Sequence, residues 1–308
     1  MKDIVSEIFS ELRLNSHLYF TTEFKGDFGV DIPNEKRLVR FHYVKAGSCY
    51  ITVPNEGEFH LSKGDLIIIP NGLAQSIKAK PTSLCKPLMD VIQKNGLDEN
   101  CLKLSVGTEH NTTELLCGYC QYDEDIDHPI LSNLSSVLFA TKTQACISEE
   151  TKAALTFLGT EISSGKAGIA GILSRLLEII FIQSFRESEY TKNSPFLNAL
   201  RDNKIKKSLS LIHENYQQNW TISSIASEVG MSRARFADKF SKLVGITPIA
   251  YLNKWRLMKS RGLLENTPIS LELISDRCGF SNASTFSRRF KGEFDITPSA
   301  YRKSKRFI

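Results

Sequence analysis

Residues 221–302 hold one structural unit written twice. The first copy reads TISSIASEVGMSRARFADKFSKLVGITPIAYL (Thr221 to Leu252) and the second SLELISDRCGFSNASTFSRRFKGEFDITPSAYR (Ser270 to Arg302). Phe236 and Phe286, Phe240 and Phe290, Pro248 and Pro298, and Tyr251 and Tyr301 all stand 50 positions apart, whereas Gly230 and Gly279 stand 49 apart. One residue was therefore gained inside the turn. A duplication of this kind restricts the fold, because both copies must bury the same face in the same way. In the first copy Ile222, Ile225, Ala226 and Val229 fall at helical spacing. Gly230 stops that helix as a residue that accepts positive φ. Ser232 is placed to cap the next helix, in which Phe236, Phe240 and Leu243 mark the buried face. Gly245-Ile-Thr-Pro248 ends it, and proline opens a third. In the second copy Gly279 is the turn, Ser281 or Asn282 the cap, and Phe286 and Phe290 the buried edge.

Two short helices joined by a glycine turn form a helix-turn-helix, and the second helix of such a pair can lie in a DNA major groove. Charge supports that reading. Residues 201–308 carry 20 Lys/Arg against 9 Asp/Glu, a net of +11, while residues 1–200 carry 19 against 25, a net of −6. A basic C-terminal part beside an acidic remainder suggests a polyanionic partner for the former. Rotation at about 100° per residue, the period of an α-helix, turns Ser284, Arg288 and Lys291 directly away from Phe286, with Thr285 and Ser287 beside them. The same rotation about Phe236 exposes Ala234, Ala237, Asp238 and Ser241, with Arg235 and Lys242 on the shoulder. Arg233 and Asn282, at the starts of the two helices, complete the expected DNA-binding set. Arg288 can donate two bonds to guanine O6 and N7, Ala methyls can meet thymine, and Asp238 can accept from a cytosine amine. The stretch PIAYLNKWRLMKSRGLLEN (Pro248 to Asn266) should form a stiff connecting helix. Leu252, Trp255 and Leu263 are expected inside, and Lys254, Arg256, Lys259 and Arg261 are expected to reach phosphates.

The N-terminal half reads differently. In RLVRFHYVKAGSCYITVPNEGEFHLSKGDLIIIPNGLAQSI (Arg37 to Ile77), Val39, Phe41 and Tyr43 alternate and Lys63-Gly64-Asp65 turns into the apolar run Leu66 to Ile69. Further strands are expected at Leu102–Val106 and Leu115–Tyr122. Many short strands with Gly/Pro turns suggest a small barrel or jelly roll. Two helices are expected over Ser148–Glu189. In the second, Ile169, Ile172, Leu173, Leu176, Ile180 and Ile182 exceed one narrow stripe; the surplus either covers the barrel or meets a second copy of the chain. The N-terminus MKDIVSEIFSELRL is read as an amphipathic helix, not a signal peptide, and no segment is long and apolar enough for a membrane, so cytoplasmic localisation is expected. The seven cysteines are scattered; only Cys117 and Cys120 have ligand-like spacing, without matching histidines. No metal, cofactor or catalytic residue is assigned.

At the repeat, IASEVGMSRARFADKFSKLVGITPIAYLNKWRL and CGFSNASTFSRRFKGEFDITPSAYR resemble the AraC/XylS family of bacterial transcription regulators. GDLIIIPNGLAQSI, LLCGYCQYDEDIDHPIL and AGILSRLLEIIFIQSFR resemble the cupin-type sensor domain found in one branch of that family. The resemblance implies an α+β multidomain chain, with a cupin-like β-barrel or jelly roll plus helices, followed by an all-α double helix-turn-helix. The expected division is 1–190 for effector binding and dimerisation, 191–202 as linker, and 203–308 for DNA. It implies a sequence-specific activator that binds double-stranded DNA, touches RNA polymerase, and answers to a small-molecule effector or stress signal as a homodimer. Arg288 fills the place of a frequent family arginine two residues after the first apolar anchor. Asp295 stands where the family has Gly, Ser275 where Ala is common, and Asp238 where a basic residue is frequent. Cupin enzymes hold metal through histidines, one of which would stand at Gln75. Two alternatives are a cupin-fold enzyme with a basic tail and a redox-sensing regulator using Cys49, Cys85, Cys101, Cys117 or Cys120.

Overall fold

The computed structural model describes residues 3–12, 15–35, 38–98, 103–122, 128–132, 137–140, 148–162, 166–187 and 195–305. The elements begin with α1 (Ile4–Leu12), β1 (Asn15–Lys25), β2 (Gly29–Ile32), β3 (Leu38–Ala46), β4 (Ser48–Val53), β5 (Gly57–Ser62), β6 (Leu66–Ile69), β7 (Gln75–Lys78) and β8 (Lys86–Pro87). Then come α2 (Leu88–Asn95), β9 (Leu97–Asp98), β10 (Lys103–Val106), β11 (Thr112–Gln121), α3 (Pro129–Ser132), β12 (Leu138–Ala140), α4 (Glu149–Ile162) and α5 (Ile169–Glu187). The rest is helical: α6 (Pro195–Arg201), α7 (Asn203–Glu214), α8 (Ile222–Glu228), α9 (Arg233–Val244), α10 (Pro248–Asn266), α11 (Leu271–Arg277), α12 (Ala283–Phe294) and α13 (Pro298–Lys305).

These elements form two compact units. One comprises Leu14–Asp123 and Leu134–Lys192; the other comprises Met1–Arg13, Glu124–Asn133 and Asn193–Ile308. This grouping does not follow chain order, as the expected division at 190 does: it takes in helices α1 and α3 from the first half. Helix α1 and the short α3 pack with the C-terminal helices, because their apolar and acidic side chains meet partners there. The expected linker, 191–202, falls only partly on described residues. Residues 188–194 lie outside the described residues, but from Pro195 the chain is helix α6. Its Phe196 is fully buried, 5.6 Å from His128 and 6.5 Å from Tyr251, ring centre to ring centre.

The strand-rich unit is a sandwich. A seven-stranded sheet runs β12-β6-β3-β11-β1-β10-β9 and a five-stranded sheet runs β5-β4-β7-β2-β8. Inward residues of both, among them Val44, Ile67 and Leu115 from the first and Ile51, Leu61 and Ile77 from the second, make one core. The expected alternation in β3 is only half the pattern: Val39 through Val44 are all buried. The cause is α5. Its Leu177, Ile180 and Phe181 cover Val39, Phe41, Leu66 and Ile68 on the outer face of the larger sheet. Covering the sandwich therefore accounts for most of that helix's apolar surplus. Ile172 and Ile179 stay exposed on α5, as does Phe157 on α4.

The helical unit repeats the duplication in three dimensions. Phe236 and Phe240 meet edge to face at 5.6 Å, and Phe240 meets Tyr251 at 5.9 Å. In the second copy Phe286 and Phe290 meet at 5.6 Å and Phe290 meets Tyr301 at 5.5 Å. Each Phe-Phe-Tyr set fills one small core, the second closed by Leu264, Ile274, Cys278 and Phe294. Both turn glycines adopt positive φ, +63° at Gly230 and +75° at Gly279, and Asp295 takes φ +54° where it replaces a glycine. The first helices of both copies are capped, by Thr221 and by Ser270, but the caps of the second helices differ. Thr221 Oγ1 accepts from the Ser224 amide at 3.0 Å and Asn282 Oδ1 from the Thr285 amide at 2.8 Å. Ser232 sits at the N-cap of α9 but its hydroxyl makes no capping bond, contrary to expectation.

Candidate nucleic-acid interface

The two anchored helices, α9 and α12, each bury a phenylalanine edge and present the other edge to solvent. On α9, Arg233, Ala234, Arg235, Asp238 and Lys242 are exposed, and Ala237 and Ser241 are half-buried. On α12, Ser284, Arg288 and Lys291 are exposed, and Thr285 and Ser287 are half-buried. Asn282 is exposed, with Oδ1 engaged as the cap of α12, so its amide nitrogen is the group left to face a ligand. Asp238 lies 3.1 Å from Lys242 across one helical turn. At such exposure the pair contributes little to stability, but it offsets one positive charge on α9. Arg288 and its neighbour Arg289 make no hydrogen bond or ion pair among the described residues. Arg289 was missed in the sequence because the rotation places it on the Phe286 side; its long side chain nonetheless reaches solvent, as a guanidinium on a flexible stem can. The adjacent arginines of SRRF were the available signal.

The connecting helix α10 is the largest correction. None of its four expected phosphate contacts is a clear outward cation. Arg256 is buried and donates from Nε to the Tyr216 carbonyl and from Nη2 to the Gln218 carbonyl, both at 2.6 Å. Arg261 is buried and donates to the Tyr301 hydroxyl at 2.9 Å. Lys254 pairs with Glu293 at 2.8 Å. Lys259 pairs with Glu11 of α1 at 2.8 Å and lies 4.8 Å from the Trp255 ring centre. The reason is that α10 is covered all round, with Tyr251, Leu252, Trp255, Leu257, Met258 and Leu264 buried on different sides. Its cations can only act internally. Arg256 in particular ties the loop after α7 to the turn of the second copy, where its guanidinium lies 5.8 Å from the Phe280 ring centre. The two reading helices are thereby held on one frame.

A directed chain of hydrogen bonds fastens the same frame to α1 and α3. The Ile130 amide donates to His128 Nδ1 at 3.1 Å, so His128 Nε2–H faces the Tyr251 hydroxyl at 3.3 Å. That hydroxyl donates to His213 Nε2 at 2.7 Å, and His213 Nδ1–H donates to the Glu7 carboxylate at 3.0 Å. Burial holds His213 at about 3, helped by the Lys259 charge, so the ring is neutral at ordinary pH.

Comparison with known proteins agrees with this geometry. A cupin family model matches residues 3–188 and a helix-turn-helix domain model matches residues 225–304. The chain is an AraC/XylS-family transcription regulator. The regulator is 25% identical over 308 residues to the HTH-type transcriptional regulator AlkR of Acinetobacter baylyi, covering 98% of this chain and 99% of that one. It is 22% identical over 275 residues to the RCS-specific HTH-type transcriptional activator RclR of Escherichia coli, covering 88% and 87%. A solved AraC-type transcriptional regulator from Chromobacterium violaceum is 32% identical over 35% of this chain and 96% of that one, with a TM-score of 0.33. The regulator thus binds DNA through its C-terminal helices and carries a cupin domain before them.

Inside the regulator's cupin unit the residues singled out from the sequence meet around His42. Gln75, at the place of a cupin metal ligand, donates from Nε2 to His42 Nε2 at 2.8 Å. His42 Nδ1 then carries the proton and faces Cys117 Sγ at 3.0 Å. His60 instead lies against Tyr50, ring centres 4.6 Å apart and tilted by 33°. Among the described residues no three His, Cys, Asp or Glu side chains are grouped to hold a metal ion. Burial pushes the Cys49 and Cys117 thiols up to about 12, and Cys278 likewise, which keeps them protonated and weakly nucleophilic. Cys85 is half-buried with its thiol also raised, by burial first and by Asp31; Cys101 and Cys146 lie outside the described residues.

His42 gives a pH prediction. Burial first, and the neighbouring Arg40 second, hold it at about 3 in the folded unit, against about 6.5 when unfolded. Between those values the unfolded chain binds the extra proton. The stability contributed by neutral His42 is therefore complete above pH ~6.5 and falls toward pH 3, by up to ~1.4 kcal/mol per pH unit. Urea unfolding followed in the cupin unit at pH 7 and pH 5 should show this loss, and His42→Gln should flatten the dependence by about that slope.

Proposed function

We propose that this regulator reads a specific operator by laying α9 and α12 into successive major-groove segments of one DNA face, and that it activates transcription in the cytoplasm by touching RNA polymerase. The observation carrying this reading is the repeated exposed edge. Both helices are pinned by the same Phe-Phe-Tyr packing, both display small polar residues and arginines, and Arg256 fixes one copy against the other. Arg288, Arg289 and Lys291 make α12 the stronger base and phosphate reader. Asp238 and its pairing with Lys242 leave α9 to read shape, methyl groups or a cytosine amine. The name of the relative RclR as an activator supports positive control. The cupin unit is read as the sensor whose ligand shifts the balance between DNA-competent and DNA-incompetent populations. The exposed Phe157, Ile172 and Ile179 are read as the seam of a homodimer.

The test is binding to duplexes selected from a random library with the full-length protein at defined salt, read by fluorescence anisotropy. A selected duplex should bind about 10³-fold or more tighter than random competitor. Equal affinity for both would remove the reading.

A further inference from the structure

The two repeats hold their core tyrosines in different ways. The Tyr301 ring meets Phe290 at 5.5 Å, and its hydroxyl accepts from Arg261 Nε at 2.9 Å and donates to the Glu265 carboxylate. Arg261 and Glu265 both stand on α10, the helix that precedes the second copy. The core around them draws on residues between Leu257 and Tyr301. The Tyr251 ring lies in the same way against Phe240, at 5.9 Å, but its hydroxyl meets His213 at 2.7 Å and His128 at 3.3 Å. His213 belongs to α7, the helix that precedes the first copy; His128 stands immediately before α3, far outside the repeat. His213 is in turn held by Glu7 of α1.

Tyr251 is fully buried, so a hydroxyl deprived of a partner there cannot turn to water. His128 supplies the proton that the hydroxyl accepts, and His213 takes the one that it donates. The His213 ring stacks on Trp255, ring centres 3.8 Å apart and 18° from parallel; within that plane the Glu7 carboxylate decides which ring nitrogen faces Tyr251. Helix α1 is itself seated by Ile4, Ile8, Phe9 and Leu12, all buried, and by the pairing of Glu11 with Lys259. The buried edge of α9 rests on this tyrosine through Phe240, which meets Phe236 at 5.6 Å. A shift of Glu7 or His128 therefore passes to α9 through Tyr251 and Phe240, whereas the Tyr301 hydroxyl is held without either. Chain connectivity gives that path a source. Helix α1 ends three positions before β1, α3 lies between β11 and β12, and β1 and β11 are neighbours in the larger sheet.

We infer that Glu7 and His128 are positioning residues for α9 and not for α12: the first half of the chain sets how the first copy meets DNA, and the second copy is seated independently of it. This rests on reading α9 and α12 as the two groove-entering helices. Helix α12 is then the constant hold on the operator and α9 the adjustable one, so that a change arriving at β1 or β11 alters reading in one segment of the operator alone.

The experiment uses the full-length protein, a duplex selected from a random library, and competition by duplexes altered one base pair at a time. Arg288→Ala identifies the segment read by α12 through the preference lost there; the other segment is that of α9. Glu7→Ala and His128→Ala should each lower discrimination in the α9 segment about 3- to 10-fold, the worth of one hydrogen bond, and leave the α12 segment as it is. A merely structural loss would reduce binding-competent protein for every duplex alike and leave the ratios between duplexes unchanged. His128→Gln, whose amide nitrogen can donate in place of Nε2–H, should keep most of the discrimination that His128→Ala loses. If either alanine variant does not fold, Glu7→Gln and Tyr251→Phe, which keep the side-chain volume, make the same comparison. The inference is overturned if both segments lose discrimination alike, if neither does, or if His128→Gln falls as far as His128→Ala. Absence of any base preference in the unaltered protein is a different failure, that of the groove reading itself, and takes this inference with it.

Discussion

Gly279→Ala should unfold the second helix-turn-helix under conditions where Gly230→Ala leaves the first intact. The two glycines hold the same place in the repeat, and both adopt positive φ, which costs an L-residue ~1–2 kcal/mol. Their surroundings differ. A Cβ on Gly279 would lie 2.5 Å from the Gln217 carbonyl oxygen and 2.8 Å from Arg256 Nη2. A Cβ on Gly230 would meet only the tip of Lys204, at 3.9 Å. Relief at Gly279 requires moving backbone and displacing the buried guanidinium from its two carbonyls, so an overpacking cost of ~1–3 kcal/mol adds to the conformational one. The total is about 2–5 kcal/mol for Gly279→Ala and about 1–2 kcal/mol for Gly230→Ala. Both tryptophans, Trp220 and Trp255, lie in the helical unit, so their fluorescence in urea reports the difference directly. Equal losses at the two sites would show that the turn of the second copy is not clasped around Arg256.

Arg288→Ala should reduce affinity for a selected operator by ~10- to 100-fold and relax the preference at one base pair. A bidentate arginine–guanine contact discriminates by ~1–3 kcal/mol, and Arg288 is exposed on the helix edge opposite Phe286, making no bond to the protein among the described residues. Lys259→Ala makes the sharper comparison. Charge pattern alone assigns Lys259 to DNA phosphates, which would flatten the salt dependence of binding. The structure pairs it with Glu11 over the Trp255 ring. Lys259→Ala should therefore leave the salt slope unchanged and lower the melting temperature of the helical unit, while Lys291→Ala should reduce the slope by about one phosphate contact. Binding titrations across a salt series decide it. An unaltered operator preference in Arg288→Ala would show that α12 does not read bases.

The duplication, the two glycine turns, the phenylalanine edges and the strand-rich first half were legible in the sequence, because each depends on local periodicity or on a backbone conformation that few residues allow. The outward set on α9 and α12 was legible for the same reason: a helix amphipathic about a Phe-x-x-x-Phe edge has one way to face. What only the tertiary structure decided was the destination of long polar side chains and of distant segments. Arg256, Arg261, Lys254 and Lys259 look like surface cations in a one-dimensional pattern, yet α10 is enclosed and their charges meet carbonyls, a phenol and two glutamates. The pairings of Glu7 with His213 and of Glu11 with Lys259 join residues more than 200 positions apart. No periodicity encodes such a contact; it exists only once packing has brought α1 beside α7 and α10. Likewise, Gln75 read from the sequence is a missing metal ligand. In the folded sandwich it becomes a buried amide with one bond made and one unmade, because burial and neighbours, not residue type, determine what a polar group must do.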